Sequence, residues 1–327
     1  MKKGIICTGL LLSMVATVQA QDKQVVDSIA NTLESRGLLT PKGSFELEPS
    51  ISYSQNTSNR ISILGYSVLP ALVVGLIEAE DADQATFTAA LAGRYGLTNR
   101  IELELRVPWV YRYDTITKRE VNVGQGGAQR FSSEGAALGD IEGAIRYQWN
   151  LESAPFWIGS VRFKSDTGES PFDNELNTQG IFKDPPTGSG SWSIEPSMTL
   201  IYPTDPAVLF GTAGYTWNLG DDAKRDLDEN PSNNPDKFNL GNSFFLGMGM
   251  GFAVNDRLSF SLGVNHRTVF KSSINGNKVG EMLQIDSLST GFGLALTERT
   301  SLNMNLQAGL TEDAPDVEVS FSLPISF

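Results

Sequence analysis

The clearest pattern of apolar and polar positions runs over residues 85–111, ATFTAALAGRYGLTNRIELELRVPWVY. Up to Tyr95 the odd positions (Ala85, Phe87, Ala89, Leu91, Gly93, Tyr95) are apolar or small, while Thr86, Thr88 and Arg94 fall among the even ones. A period of two is what a strand imposes, because successive side chains point to opposite faces. Past a turn the same parity returns, with Ile101, Leu103, Leu105, Val107, Trp109 and Tyr111 on one face and Glu102, Glu104 and Arg106 on the other. A three-residue loop of Leu97, Thr98 and Asn99 sets Tyr95 beside Ile101 and Arg94 beside Glu102, so that charges pair on one face and aromatics anchor the other. In a water-soluble sheet the apolar face would need a second layer of chain, which this sequence does not supply. The pattern therefore predicts a transmembrane hairpin with its apolar face in lipid.

Repetition of this unit predicts an all-β fold, a single antiparallel transmembrane barrel of about twelve strands over residues 43–327. The first strand alternates Phe45, Leu47, Pro49, Ile51 and Tyr53 with Glu46, Glu48, Ser50 and Ser52. After a Gly- and Ser-rich loop over 114–137, a fourth strand over 138–149 sends Ile141, Ile145, Tyr147 and Trp149 to lipid and Asp140, Glu142, Arg146 and Gln148 inward. The fifth, over 156–164, points Trp157, Val161 and Phe163 outward and Arg162 and Lys164 inward. Later strands fall over 192–202, 207–217, 244–252, 258–264, 283–296, 302–310 and 317–327, the second of these alternating poorly. Connections after even strands are short and those after odd strands mostly long, which puts both ends of the barrel in the periplasm. Tyr95, Trp149, Trp157 and Tyr202 make a lower aromatic girdle; Trp109, Tyr111, Trp192 and Trp217 make an upper one. The apolar run over 61–77 extends the first hairpin above the membrane, either as strand packed on its neighbours or as a partner surface or mouth-covering loop.

The N-terminus changes the picture in one respect. MKKGIICTGLLLSMVATVQA has a basic start, a short apolar run and a small-residue site, so residues 1–20 read as a secretory signal cleaved after Ala20. Removal takes both Lys2 and Lys3, leaving 23 of the 25 basic residues against 38 acidic ones and a mature charge of -15. That charge argues against nucleic acid as a partner. Cys7, the sole cysteine, leaves with the signal, which excludes disulfide and thiol chemistry. Over 21–42 one short amphipathic helix is expected, with Val25, Val26, Ile29 and Leu33 on one stripe. It is a periplasmic lead-in, or a plug folded back into the bore through the turn at Thr40, Pro41, Lys42 and Gly43.

Candidate chemistry lies in the lumen. Glu46, Glu48, Glu102, Glu104, Asp140, Glu142, Glu195 and Glu318 oppose Arg94, Arg106, Arg146, Arg162, Lys164 and Arg267. Mixed inward charges fill a narrow barrel with ion pairs or line a water-filled pore, and their acidic excess implies mild cation selectivity. No phosphate-binding loop, metal-ligand cluster or cysteine nucleophile appears, so no cofactor or metal is expected and the chain does not read as an enzyme. The Asp- and Asn-rich segment over 221–237 lacks the spacing of a calcium loop and is read as solvated. His266, the only histidine, is followed by Thr268 on the same strand face, a shape used by lipid-facing outer-membrane hydrolases. Parity sends His266 outward at the upper rim, with no third residue assigned to orient it.

The phrases RGLLTPKGSFELEPSISYSQ, GYSVLPALVVGLIE, RYGLTNRIELELRVPWVYR and LGDIEGAIRYQ resemble the outer-membrane family grouped with the MetA-pathway of phenol degradation. Within it the chain looks most similar to the Fap functional-amyloid secretion porin, without the long periplasmic coiled coil of those relatives. The resemblance implies a twelve-stranded barrel and export of amyloid-type peptide subunits through a lumen plugged by an N-terminal helix. The alternative is an uptake porin for small aromatic or hydrophobic solutes. Expected partners are outer-membrane lipid and lipopolysaccharide, the barrel-insertion machinery at Phe327, the transported peptide or solute, and a second copy of the chain.

Overall fold

Parity along each strand fixes which face of the wall each side chain takes. The computed structural model describes residues 38–58, 79–118, 129–175, 182–224, 227 and 235–327. β1 (Phe45–Ser58), β2 (Ala79–Gly96) and β3 (Ile101–Lys118) form an antiparallel meander in which Glu46 faces Arg94 and Arg94 faces Glu104. β4 (Gln129–Leu138) pairs with the upper half of β3 and β5 (Glu142–Gln148) with its lower half, so the two make one stave broken at residues 139–141. β6 (Phe156–Lys164), β7 (Ser193–Pro203) and β8 (Ala207–Asn218) continue the wall, and β9 (Asp221–Ala223) and β10 (Asp236–Asn239) leave it. β11 (Ser243–Ala253) and β12 (Leu258–Val269) return, β13 (Ser272–Ile274) and β14 (Asn277–Val279) leave again, and β15 (Leu283–Ala295) and β16 (Ser301–Gly309) lead to β17 (Val317–Ser322) and β18 (Ile325–Ser326). β17 and β18 both pair with β1, closing a barrel of twelve antiparallel staves.

Burial runs opposite to that of a soluble protein. Outward Ile51, Leu105 and Trp109 are 60%, 57% and 55% exposed, whereas inward Glu102 and Arg112 are buried. All eight girdle aromatics are exposed as well. A continuous exposed apolar belt around a closed, polar-lined barrel is stable only when lipid covers the belt, since closure leaves no strand edge unsatisfied in the bilayer.

Three expectations are corrected. The β2–β3 turn is displaced: Leu97 N–H donates to the Ile101 carbonyl at 2.9 Å, so Leu97 is the last paired residue and the loop is Thr98, Asn99 and Arg100. The Thr98 hydroxyl accepts from the N–H groups of Arg100 and Ile101 at 3.1 and 3.0 Å, which makes Thr98 the first turn residue and moves Arg94 from Glu102 to Glu104. Second, residues 129–137 are strand rather than loop. Third, the segment over 221–237, read as a solvated loop, contributes β9 and the start of β10 to a four-stranded sheet with β13 and β14, separate from the barrel sheet. Phe172 stacks on Phe238 with centroids 3.7 Å apart, and Leu227, Leu240 and Ile274 complete a small core there. The expected signal sequence, the helix with Val25, Val26, Ile29 and Leu33, and the run over 61–77 lie outside the described residues, among which there is no helix.

Candidate functional site: the lumen

Two tiers of charge cross one side of the bore. In the lower tier the Arg94 guanidinium reaches three carboxylates, Glu46 and Glu48 at 2.6 Å and Glu104 at 2.7 Å. Arg146 joins Glu102 at 2.6 Å and Glu104 at 2.9 Å. Four carboxylates thus share two guanidiniums on β1, β2, β3 and β5. Higher up the contacts lengthen, with Arg106 and Arg162 3.5 and 3.7 Å from Glu142, and Arg267 3.6 Å from Glu195. Arg267 also donates to the Ser243 hydroxyl at 2.8 Å and lies 4.7 Å over the Phe245 ring. On the far wall small uncharged side chains prevail, and Ser259, Ser261, Asn303, Asn305, Ser320 and Ser322 line a recess of about 260 Å³. Glu318 is the carboxylate of that wall, paired in register with Ser54 and Gln307.

At the periplasmic end residues 38–42 turn into the bore. The N–H of Thr40 donates to Glu102 at 2.7 Å and that of Leu38 to the Gln148 side chain at 3.2 Å, while Leu39 is buried. Gly43 N–H donates to the Gly96 carbonyl at 2.7 Å, and any Cβ on Gly96 would stand 2.0 Å from the Pro41 carbonyl oxygen. Gly96 is therefore what lets this hook lie against the hairpin. Between the hook and the charged wall is a cavity of about 750 Å³, bordered by Leu38, Leu39, Arg94, Arg146, Ile158, Arg162, Phe245 and Arg267.

At the other end residues 165–175 and 182–191 fold against the inside of the upper wall. Asp140 is buried in the break between β4 and β5, where it accepts from Lys164 at 2.9 Å, Ser189 N–H at 2.8 Å, the Ser189 hydroxyl at 2.6 Å and Gly168 N–H at 3.1 Å. Lys164 also donates to Ser189 and to the Ser191 carbonyl. Thr187 donates to the Leu138 carbonyl at the end of β4, at 2.9 Å. Buried Arg112 holds Asp114 at 2.8 Å and approaches the Pro186 carbonyl. Asp140 and Lys164, expected along the open bore, thus lie under this segment as its anchor. On its exposed side, in water, the Lys183 hydrogen bond holds the Glu175 carboxyl below its ordinary range.

Sequence reasoning named twelve further residues for the lumen: Glu46 and Glu48 lie on β1, Arg94 on β2, Glu102, Glu104 and Arg106 on β3, Glu142 and Arg146 on β5, Arg162 on β6, Glu195 on β7, Arg267 on β12 and Glu318 on β17. It missed Arg112 and Asp114, although the parity of β3 extends to both, and Thr187 and Ser189, whose loop carries no periodic signal. It also missed Asp286, which stands 2.6 Å from Nδ1 of the outward-facing His266. Among the described residues no group of His, Cys, Asp or Glu has a metal-binding arrangement.

Comparison with known proteins agrees with the barrel. The profile of the family described as the MetA-pathway of phenol degradation matches residues 103–327. An outer membrane channel from Pseudomonas putida F1 superposes with a TM-score of 0.59 at 15% identity, over 88% of this chain and 96% of that one. The P. putida toluene transporter TodX matches at a TM-score of 0.44 and 10% identity, over 90% and 91% of the two chains. The β domain of the Bordetella autotransporter BrkA matches at 0.46 and 14%, over 88% and 100%.

Proposed function

The chain belongs to the family of the MetA-pathway of phenol degradation, and from that premise we propose that it is an outer-membrane channel for uptake of small aromatic or hydrophobic solutes. The observation that carries this reading is the shape of the bore. Its cavity is about 750 Å³, within the range that holds one small organic molecule, and it mixes Phe245, Ile158 and Leu39 with guanidinium groups. The hook over 38–42 bounds it below and residues 165–175 and 182–191 narrow the bore above. A compartment narrowed at both ends suits a compact solute better than an extended peptide, so export of amyloid-type subunits ranks second. In this reading the inward charges hold the bore hydrated and oriented, and residues 21–37 continue from the hook into the lumen as its plug.

Planar-bilayer recording separates the alternatives. Micromolar to millimolar phenol should interrupt the ion current in a dose-dependent way. A current indifferent to phenol but blocked by an unfolded, amyloid-forming peptide would move the assignment to secretion. A folded, inserted protein that never conducts, even without residues 21–40, would end the channel reading.

A further inference from the structure

The outward face of β12 is apolar through Leu258, Phe260, Leu262 and Val264, then turns polar at His266 and Thr268. On the neighbouring β15, Leu294, Phe292 and Leu288 give way likewise to Asp286 and Gln284. Register puts His266 directly opposite Asp286 and Thr268 opposite Gln284. Asp286 Oδ1 is 2.6 Å from His266 Nδ1, the Thr268 hydroxyl is 3.0 Å from Nε2, and the Gln284 carboxamide is 3.0 Å from that hydroxyl. Carboxylate, imidazole and hydroxyl thus form one relay, half-exposed on the lipid side of the wall and unrelated to the bore.

We propose that Asp286, His266 and Thr268 form a hydrolytic site for acyl esters of outer-leaflet membrane lipid. The relay has the order that activates a hydroxyl: Asp286 holds Nδ1–H, which leaves Nε2 free to accept the Thr268 proton. The level fits the substrate as well. Lipid ester groups lie where hydrocarbon meets headgroup, and the relay stands at the step from Val264 and Leu288 to polar residues, with Leu246 and Phe244 beside it for the acyl chain.

In the reaction Thr268 Oγ1 bonds to the ester carbonyl carbon as Nε2 takes its proton. Collapse of the adduct breaks the bond to the alcohol oxygen, and the alcohol leaves with the proton from Nε2. Water, deprotonated by the same Nε2, then attacks the acyl-threonine and releases the free acid, restoring the hydroxyl. The Gln284 carboxamide, once its N–H edge is turned to the reacting centre, supplies a donor for the oxyanion. Asp286 positions the ring and does not touch substrate.

The test is release of labelled fatty acid from phosphatidylethanolamine–phosphatidylglycerol vesicles by the purified full-length protein. Release above protein-free vesicles is expected, falling at least about a hundredfold in His266→Ala and in the near-isosteric Thr268→Val, while Thr268→Ser retains it. Asp286→Asn should lose release and Asp286→Glu regain part of it. A fluorophosphonate should label Thr268 in the wild type and not in His266→Ala, with the heat-modifiable barrel form unchanged in each variant. A wild type that hydrolyses neither vesicle lipid nor a soluble nitrophenyl ester, or equal release by His266→Ala, overturns the site. Hydrolysis of a soluble nitrophenyl ester without release from vesicles overturns membrane lipid as its substrate.

Discussion

Arg94 and Glu104 face each other across the β2–β3 hairpin, Nε 2.7 Å from Oε2, two residues further along β3 than a loop of Leu97, Thr98 and Asn99 would have put the partner. The displacement preserves parity, so no side chain changes face. It changes which carboxylates converge: Arg94 takes Glu46, Glu48 and Glu104 together, and Glu102 is left to Arg146 and the Thr40 N–H.

Replacing Arg94 by Gln should therefore do more than remove one ion pair, because three carboxylates would remain within one guanidinium's reach. Breaking a buried pair costs about 3–5 kcal/mol, and the partial hydration of this cluster reduces that to about 1–3 kcal/mol. Urea unfolding in lipid or detergent measures it, and Arg94→Lys should fall between wild type and Arg94→Gln because a point charge cannot serve three partners at once. A loss below a few tenths of a kcal/mol would mean the cluster is no structural hub.

Parity alone carried most of the wall, and the reason is physical. A one-residue slip would turn every lipid-facing side chain inward, so the alternation of Leu103, Leu105 and Val107 with Glu102, Glu104 and Arg106 admits a single facing. Turn placement is not protected in this way, since a two-residue shift keeps every facing, and Thr98 decided it through a local hydrogen bond. What stayed illegible depends on contacts distant in sequence. Asp140 anchoring Ser189, Phe172 stacking on Phe238, and Asp286 meeting His266 join residues whose own neighbourhoods carry no mark of the partner.

The lipid belt predicts a contrast between faces. Leu105→Arg puts a guanidinium into the exposed apolar belt near mid-strand, at a cost of about 2–4 kcal/mol in folding into vesicles. Ser197→Arg on the lumen side of β7 should cost under about 1 kcal/mol, since the new group meets water and Glu195. Equal costs at the two positions would contradict the facing of the wall.

Asp140 accepts two backbone N–H groups, a hydroxyl and an ammonium, so Asp140→Asn should loosen the chain around Gly168 and Ser189 while leaving the strands in place. Each hydrogen bond to a charged group is worth about 1.5–3 kcal/mol, and losing that charge should raise local amide exchange over Gly168, Gly188 and Ser189 at least about tenfold. Exchange mass spectrometry reads this directly. Unchanged protection there would show that Thr187 and Arg112 suffice to hold the segment.

Charge in the lower tier should set ion preference. With Glu102 and Glu104 both changed to Gln, the acidic excess around Arg94 and Arg146 disappears, and the cation-to-anion permeability ratio should fall toward unity. Reversal potentials in a salt gradient measure the ratio, and the difference from wild type should shrink near 1 M salt, where the screening length is about 3 Å. An anion preference in the wild type would contradict the tier as the selective element.

The last prediction concerns what precedes the hook. Residues 38–42 lie inside the barrel rim, since the Leu38 and Thr40 N–H groups bond Gln148 and Glu102, both on the inner face. Leu38 thus stands within the bore. A helix of about fourteen residues over 23–36 would reach roughly 21 Å along it at 1.5 Å per residue, laying Val25, Val26, Ile29 and Leu33 against one side. If that segment plugs the lumen, deleting residues 21–40 should raise single-channel conductance severalfold, and changing Ile29 and Leu33 together to Asp should do so without shortening the chain. Gly96→Ala offers a route that touches neither the helix nor the lumen charges, because its Cβ collides with the Pro41 carbonyl and must lift the hook. All three variants should conduct more than wild type while keeping the heat-modifiable mobility of a folded barrel. Equal conductance in wild type and deletion would return residues 21–37 to the role of a periplasmic lead-in.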